Sequence, residues 1–161
     1  FCHDDIYILD FYWMDQVVNG LRKYDVVGLA GNTVRLPMQP SWLFNDASLN
    51  SFNPQTLSGI VAHGNTLPPQ SLSVYGPPDQ QVELIDGLFM AMSARTIKSH
   101  ALRFDAQFDY DFYDLDFCRL ARSKNLRLGT IALSVMHESG GNYNTQRWRD
   151  NYVRYLTKWG S

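Results

Sequence analysis

The stretch "RFDAQFDYDFYDLDFCRLARSKNLRLG", residues 103–129, is the most informative in the sequence. Its first half sets five aspartates among Phe and Tyr residues, and an apolar run with helical spacing follows. We predict a helix that starts at about Asp114 and is ended by Asn125, and then a strand into Gly129. With the β-branched and apolar runs elsewhere in the chain, this pattern is typical of an α/β fold.

Asp114 stands out within that stretch. Aspartates at a helix start have an ordinary explanation, because they cap free backbone N–H groups and complement the helix dipole. However, Asp114 shares its helix face with Phe117, Cys118 and Ala121, at i+3, i+4 and i+7. We therefore expect its side chain to face the packed side, where a carboxylate has either a partner or a function, and where burial raises its pKa.

Other segments predict further elements around this helix. Apolar residues at three-and-four spacing predict a helix over residues 11–24, and "DVVGLAG", residues 25–31, predicts one short buried strand. All seven prolines fall within the proline-rich loop region 37–81. Short strands are predicted inside this region, at 59–63 and 72–75.

The C-terminal stretch carries an aromatic stripe at helical spacing. Its members, at i, i+4, i+7 and i+11, are Trp148, Tyr152, Tyr155 and Trp159. We expect this stripe to pack against the domain or against a missing neighbour.

Composition bounds the function. The 161 residues suit a single domain or a fragment of one, and 45% hydrophobic with 19% charged residues is ordinary for a globular protein. A net charge of -2 without a basic block argues against nucleic acid and anionic membranes as partners, which favours a small molecule or a glycan. Cys2 and Cys118 are too few for a disulfide framework, and neither a leader nor a membrane-spanning run is visible, so a cytoplasmic protein is expected.

Polar clusters interrupt or follow the apolar runs at three places. They are His3-Asp4-Asp5, Asp86-Gly87 and His137-Glu138-Ser139. Taken alone, the first could be a turn or a helix cap, and His137 a structural histidine. Because strand ends converge in an α/β sheet, the clusters together bring a carboxylate and an imidazole from separate strand ends to one site, and these are suitable ligands for Mn²⁺ or Mg²⁺.

Four motifs in order resemble those of family 2, GT-A type glycosyltransferases. "FCHDD" (1–5) is similar to the D-x-D motif, "DGLFMAMSART" (86–96) to a glycine-and-arginine strand, "DFYDLDFCRLARSKNLRLG" (111–129) to the ED-x-D helix, and "VMHESGG" (135–141) to the closing H-x-S-x-G. The resemblance implies a GT-A, Rossmann-like mixed sheet with flanking helices. It also implies that this chain is the acceptor-side portion, and that the nucleotide-binding N-terminal half is missing or supplied by another chain.

The same resemblance implies an inverting transfer of a sugar from a nucleotide-diphosphate donor to an acceptor hydroxyl, with Asp114 as general base. The other roles that it implies are donor binding by His3, Asp4 and Asp5, metal binding by Asp5 and His137, and acceptor contacts by Asp86, Gly87 and Trp42.

The motifs also depart from the family pattern, and other functions stay open. His3 replaces the first Asp of D-x-D, and Tyr113 stands where Glu is usual. A non-catalytic module that binds glycans or nucleotide sugars is the main alternative. An HD-type metal phosphohydrolase, suggested by "HDD", would need an upstream histidine and a mostly helical chain.

Overall fold

The computed structural model describes residues 1–160, which form a mixed α/β fold. The strands are β1 (Ile6–Ile8), β2 (Val26–Gly28), β3 (Ala30–Asn32), β4 (Leu57–His63), β5 (Ser71–Gly76), β6 (Gln81–Val82), β7 (Leu84–Ile85), β8 (Met90–Met92), β9 (Leu128–Thr130) and β10 (Val135–His137). The helices are α1 (Trp13–Lys23), α2 (Ala94–Ser99), α3 (Tyr113–Ser123) and α4 (Gln146–Trp159), and a short 3₁₀ helix spans Pro54–Thr56.

The strands form two mixed sheets. The larger has the order β1-β10-β4-β3-β7, with β5 also paired to β4, and the smaller has the order β6-β9-β2-β8. The pairs β10–β4 and β2–β9 are parallel, and the remaining pairs are antiparallel. The predicted α/β class is therefore confirmed.

The stretch "DVVGLAG" is not one strand, contrary to the sequence prediction. It divides at Leu29 into β2 and β3, which belong to different sheets. The chain makes a second such change of sheet at Glu83, between β6 and β7. Leu29 is 1% exposed, so the change of sheet happens inside the shared core and leaves the apolar run unbroken in sequence.

The first eight residues do not form one continuous strand. Cys2 makes an isolated antiparallel bridge to Phe89, a turn follows at Asp4-Asp5, and only then does β1 begin. Asp5 is therefore presented by a turn before a strand, and not by a strand end. In the proline-rich region the two predicted strands are confirmed and are longer than expected, because β4 and β5 form an antiparallel hairpin.

Helix α1 packs through a narrower face than its apolar residues suggested. Gly20 is buried against Ile131, where a Cβ would overlap the isoleucine side chain, and Val17 and Leu21 are partly buried beside it. Met14 and Val18 are exposed. Glycine thus permits the close approach of this helix to the sheet.

Helix α3 begins and ends close to the predicted positions. Asn125 takes a left-handed conformation just after the helix, and the Leu126 N–H donates to the Ala121 carbonyl, which satisfies the helix end. At the other end, Phe112 is left-handed as well, with φ of 68°, and it is buried against the aromatic stripe of α4. The stripe packs on the domain, as one of the two predicted options had it.

No helix within residues 1–160 combines the length and the apolar character that crossing a membrane requires.

Candidate functional site

A cleft of about 520 Å³ brings the separated polar clusters together. All of the site residues predicted from sequence line it: His3, Asp4, Asp5, Trp42, Asp86, Gly87, Asp114 and His137. They come from the turn before β1, the segment after β3, the β7–β8 connection, the first turn of α3 and the end of β10. The cleft is thus built at the junction of these elements.

Three side chains form a potential metal-binding cluster in this cleft. His3, Asp5 and His137 each offer a ligand atom, and these atoms all lie within 4.8 Å of one another. The His137 Nε2 atom is 3.2 Å from Asp5 Oδ1 and 3.4 Å from His3 Nδ1, while His3 Nδ1 is 3.8 Å from Asp5 Oδ1. Asp5 and His137 were predicted as ligands, and His3 was expected only to contact the donor.

Backbone pairing brings Asp5 next to His137. Strands β1 and β10 are antiparallel, with Ile6 opposite His137, so the turn before β1 lies at the end of β10. The Glu138 N–H donates to the Asp5 carbonyl and the Ser139 N–H to Asp5 Oδ2, at 3.1 and 3.3 Å. Hydrogen bonding from Ser139 and the nearby His137 hold the pKa of Asp5 below its usual range. Asp5 is therefore a charged carboxylate, as a metal ligand must be.

Asp114 faces the packed side of α3, as its helical spacing predicted. Its Oδ2 accepts a hydrogen bond from the Gly87 N–H at 3.1 Å, and its Oδ1 accepts one from the Leu115 N–H at 2.8 Å. Burial, reinforced by the charge of Asp86, raises the pKa of Asp114 to about 7. Asp114 can therefore take up or release a proton near neutral pH.

Asp86 sits in a tight turn and is tied to Trp42. Its Oδ1 accepts from the Leu88 N–H, two residues on, in the manner of an Asx turn, and its Oδ2 accepts from the Trp42 indole N–H. Trp42 is only 3% exposed and packs edge-to-face on Tyr75. Little of the indole is open for a sugar to stack on. The contact that Trp42 makes in the cleft is the hydrogen bond that orients the Asp86 carboxylate.

Other side chains of the cleft were not assigned a role from sequence. Tyr113 contributes a hydroxyl that lies 2.9 Å from His3 Nε2, and burial raises the pKa of Tyr113. His63, at the end of β4, stands directly across from His137 in the parallel pair and bonds to Ser73. Burial and the nearby His137 lower the pKa of His63. The rule that strand ends carry function could have found His63, whereas nothing in the sequence paired Tyr113 with His3.

The charge of the cleft is one-sided. Six aspartates line it, and no lysine or arginine does so within the described part of the chain. The aspartates are Asp4, Asp5, Asp86, Asp109, Asp111 and Asp114. An anionic ligand would meet repulsion here unless a cation entered with it.

No protein-family model matches this chain, and a search among curated proteins finds no significant match.

Proposed function

We propose that this chain carries the acceptor side of an inverting, metal-assisted glycosyltransferase of the GT-A type. The observation that carries the proposal is that one cleft holds two features. These are Asp114, a carboxyl group with a pKa of about 7, and the potential metal-binding cluster of His3, Asp5 and His137. A base that titrates near 7 suits the removal of a hydroxyl proton, and a metal cluster suits the binding of a diphosphate. Mixed sheets with flanking helices are compatible with the GT-A fold.

The donor set fits a divalent cation. Two imidazoles and one carboxylate favour Mn²⁺ over Mg²⁺, because Mg²⁺ prefers oxygen ligands throughout. When bound by these three side chains, the cation would neutralise negative charge on the diphosphate of the donor and of the leaving group. An anionic donor needs such a cation in this acidic cleft, since six aspartates and no lysine or arginine line it in the described chain.

Asp114 would carry out the proton transfer. Its carboxylate takes the proton from the acceptor hydroxyl as that oxygen attacks the anomeric carbon, on the face opposite the leaving group. The new bond joins the acceptor oxygen to the anomeric carbon, the bond from that carbon to the phosphate oxygen breaks, and the nucleoside diphosphate leaves with the electron pair. The Gly87 and Leu115 N–H groups hold the two oxygens of Asp114 in place throughout.

Asp86 can act in two ways: it can bind the acceptor substrate, and it raises the pKa of the proposed base Asp114. Its carboxylate, fixed by Trp42 and by the Leu88 N–H, can accept hydrogen bonds from further acceptor hydroxyls. Its charge also contributes to the raised pKa of Asp114.

The test is Asp114→Asn in the form of the protein that includes the nucleotide-binding half, with a panel of nucleotide-diphosphate sugars and hydroxyl acceptors in the presence of Mn²⁺. We expect the release of nucleoside diphosphate and the formation of glycoside to fall by roughly 10²- to 10⁴-fold, while donor binding by calorimetry persists. The matched control is Asp109→Asn, an exposed aspartate of the same cleft, which should leave the transfer rate unchanged. Donor binding without any transfer by the wild-type protein would favour the alternative of a non-catalytic binding module.

A further inference from the structure

The imidazole of His3 has a different neighbour at each nitrogen. Its Nδ1 faces the other two side chains of the potential metal-binding cluster, 3.4 Å from His137 Nε2 and 3.8 Å from Asp5 Oδ1. Its Nε2 lies 2.9 Å from the hydroxyl oxygen of Tyr113. A neutral imidazole carries its proton on one nitrogen and its lone pair on the other, so the partner of Nε2 decides whether Nδ1 can bind a cation.

Tyr113 is itself held in place from two sides. It is the first residue of α3, and its ring packs against Phe104 with 5.9 Å between the ring centroids. Its hydroxyl occupies the space beside Gly87, where a Cβ would overlap it. The next residue along the helix, Asp114, accepts the hydrogen bond from the N–H of the same glycine. The first two residues of α3 therefore serve different parts of the cleft. Tyr113 contacts the potential metal-binding cluster, and Asp114 is the proposed base.

We propose that Tyr113 is the positioning residue of the metal site: its hydroxyl oxygen accepts the Nε2–H of His3 and so leaves the His3 Nδ1 lone pair to a divalent cation. This inference rests on the proposed metal site. Metal-bound histidines commonly donate their second N–H to an oxygen acceptor, which fixes the tautomer and the ring orientation. Tyr113 supplies that oxygen here and ties the cluster to the helix that carries Asp114.

The first test compares Mn²⁺ affinity in Tyr113→Phe and in the wild-type protein, by calorimetry or by the electron paramagnetic resonance signal of free Mn²⁺. The loss of an oxygen partner behind a ligating histidine should weaken Mn²⁺ binding by roughly 10- to 100-fold. Tyr110→Phe is the matched control, because Tyr110 lines the same cleft, is 57% exposed and does not bond to His3. This control should bind Mn²⁺ as the wild type does, and metal-free urea unfolding should show that both variants are folded.

A second variant, Gly87→Ala, keeps the Tyr113 side chain but moves its hydroxyl away from His3. In Gly87→Ala the new methyl group would overlap the Tyr113 hydroxyl, so we expect Mn²⁺ binding to weaken in this variant as well. The tautomer can be read in the wild-type protein without any substitution, from the nitrogen chemical shifts of His3 in metal-free samples. We expect the proton on Nε2.

The outcomes separate the inference from the function on which it rests. Unchanged Mn²⁺ affinity in Tyr113→Phe, or a proton on Nδ1 of His3 in the wild-type protein, overturns the role of Tyr113 and leaves the metal site standing. Failure of the wild-type protein to bind Mn²⁺ overturns both the metal site and the role of Tyr113. Metal binding without glycosyl transfer overturns the proposed function alone.

Discussion

The pKa of Asp114 is set by opposing effects. Two backbone N–H groups donate to its oxygens, and it stands in the first turn of a helix, all of which favour the charged carboxylate. Burial, with the charge of Asp86 added to it, outweighs them and brings the pKa to about 7. The burial of the Asp114 side chain was predictable from the sequence, because helical spacing alone places Asp114 beside apolar neighbours.

A substitution at Asp86 should shift the pH dependence of transfer. The rate of a reaction that needs ionised Asp114 rises with pH through about 7, since the base works only when deprotonated. Asp86→Asn removes a negative charge that raises the pKa of Asp114, so we expect the acidic limb of kcat/KM to move to lower pH. The measurement is kcat/KM against pH with saturating Mn²⁺.

Trp42→Phe is the control for this prediction. It removes the hydrogen bond to Asp86 but keeps the charge, so the acidic limb should not move to lower pH. Equal downward shifts in both variants would mean that the charge of Asp86 is not the cause.

The residues of the candidate site were predictable from their residue types, but some of their hydrogen-bond partners were not. Carboxylates and histidines next to apolar runs were recognisable, and those that were assigned a role in the site all line one cleft. The hydrogen bond between the His3 imidazole and the Tyr113 hydroxyl joins residues 110 positions apart. Such a contact depends on the fold, because neither residue carries a local pattern that points to the other.

At the level of elements, the start of α3 depends on α4. Phe112, directly before α3, takes a left-handed conformation that L-residues with large side chains rarely adopt. Trp148, Tyr152 and Tyr155 surround its ring, with centroid distances of 5.4, 5.7 and 5.4 Å. We infer that the aromatic stripe of α4 holds Phe112 in this conformation, which in turn directs the first turn of α3 into the cleft.

Phe112→Ala should therefore destabilise the fold strongly. The substitution removes a ring that is 4% exposed and packed against three aromatic side chains, so we expect a loss of about 3–5 kcal/mol in the free energy of unfolding. Urea unfolding monitored by tryptophan fluorescence measures it. Phe11→Ala is the matched control, because Phe11 is 89% exposed, and its loss should be within about 0.5 kcal/mol of zero. Similar losses in the two variants would contradict the role assigned to Phe112.

The wrong prediction of a single strand over residues 25–31 has a physical cause. Strands β2 and β3, like β6 and β7, are two or three residues long and are separated by a single residue that passes from one sheet to the other. Leu29 is itself apolar and both sheets bury apolar residues, so hydrophobicity does not change where the chain passes from β2 to β3. The longer helices α3 and α4 were predictable because their spacing repeats over several turns.

For the whole molecule, the cleft assembles parts that lie far apart along the chain. His3 and Asp5 come from the first five residues and His137 from the end of β10, and a cation bound by all three would join them. A ligand that binds only the folded state stabilises it by mass action.

Mn²⁺ should accordingly raise the melting temperature. At a concentration about 100 times its Kd, the expected gain is about 2.7 kcal/mol, or roughly 5–10 °C in Tm for a domain of this size, and EDTA should reverse it. His137→Ala should abolish the shift, whereas His100→Ala, which alters a histidine outside the cleft, should retain it. Differential scanning calorimetry measures both, and an equal shift in the two variants would place the bound ion elsewhere.

Local periodicity and composition were enough to predict the fold class, the helix that carries Asp114, the burial of that carboxylate and the residue types of the candidate site. Four contacts could be seen only in the folded structure: His3 lies beside Asp5 and His137, the Tyr113 hydroxyl contacts His3, the Trp42 indole donates to Asp86, and Phe112 packs on α4. Each of these contacts joins segments that meet only when the strands pair and the helices pack, and local sequence patterns do not encode the distances between such segments.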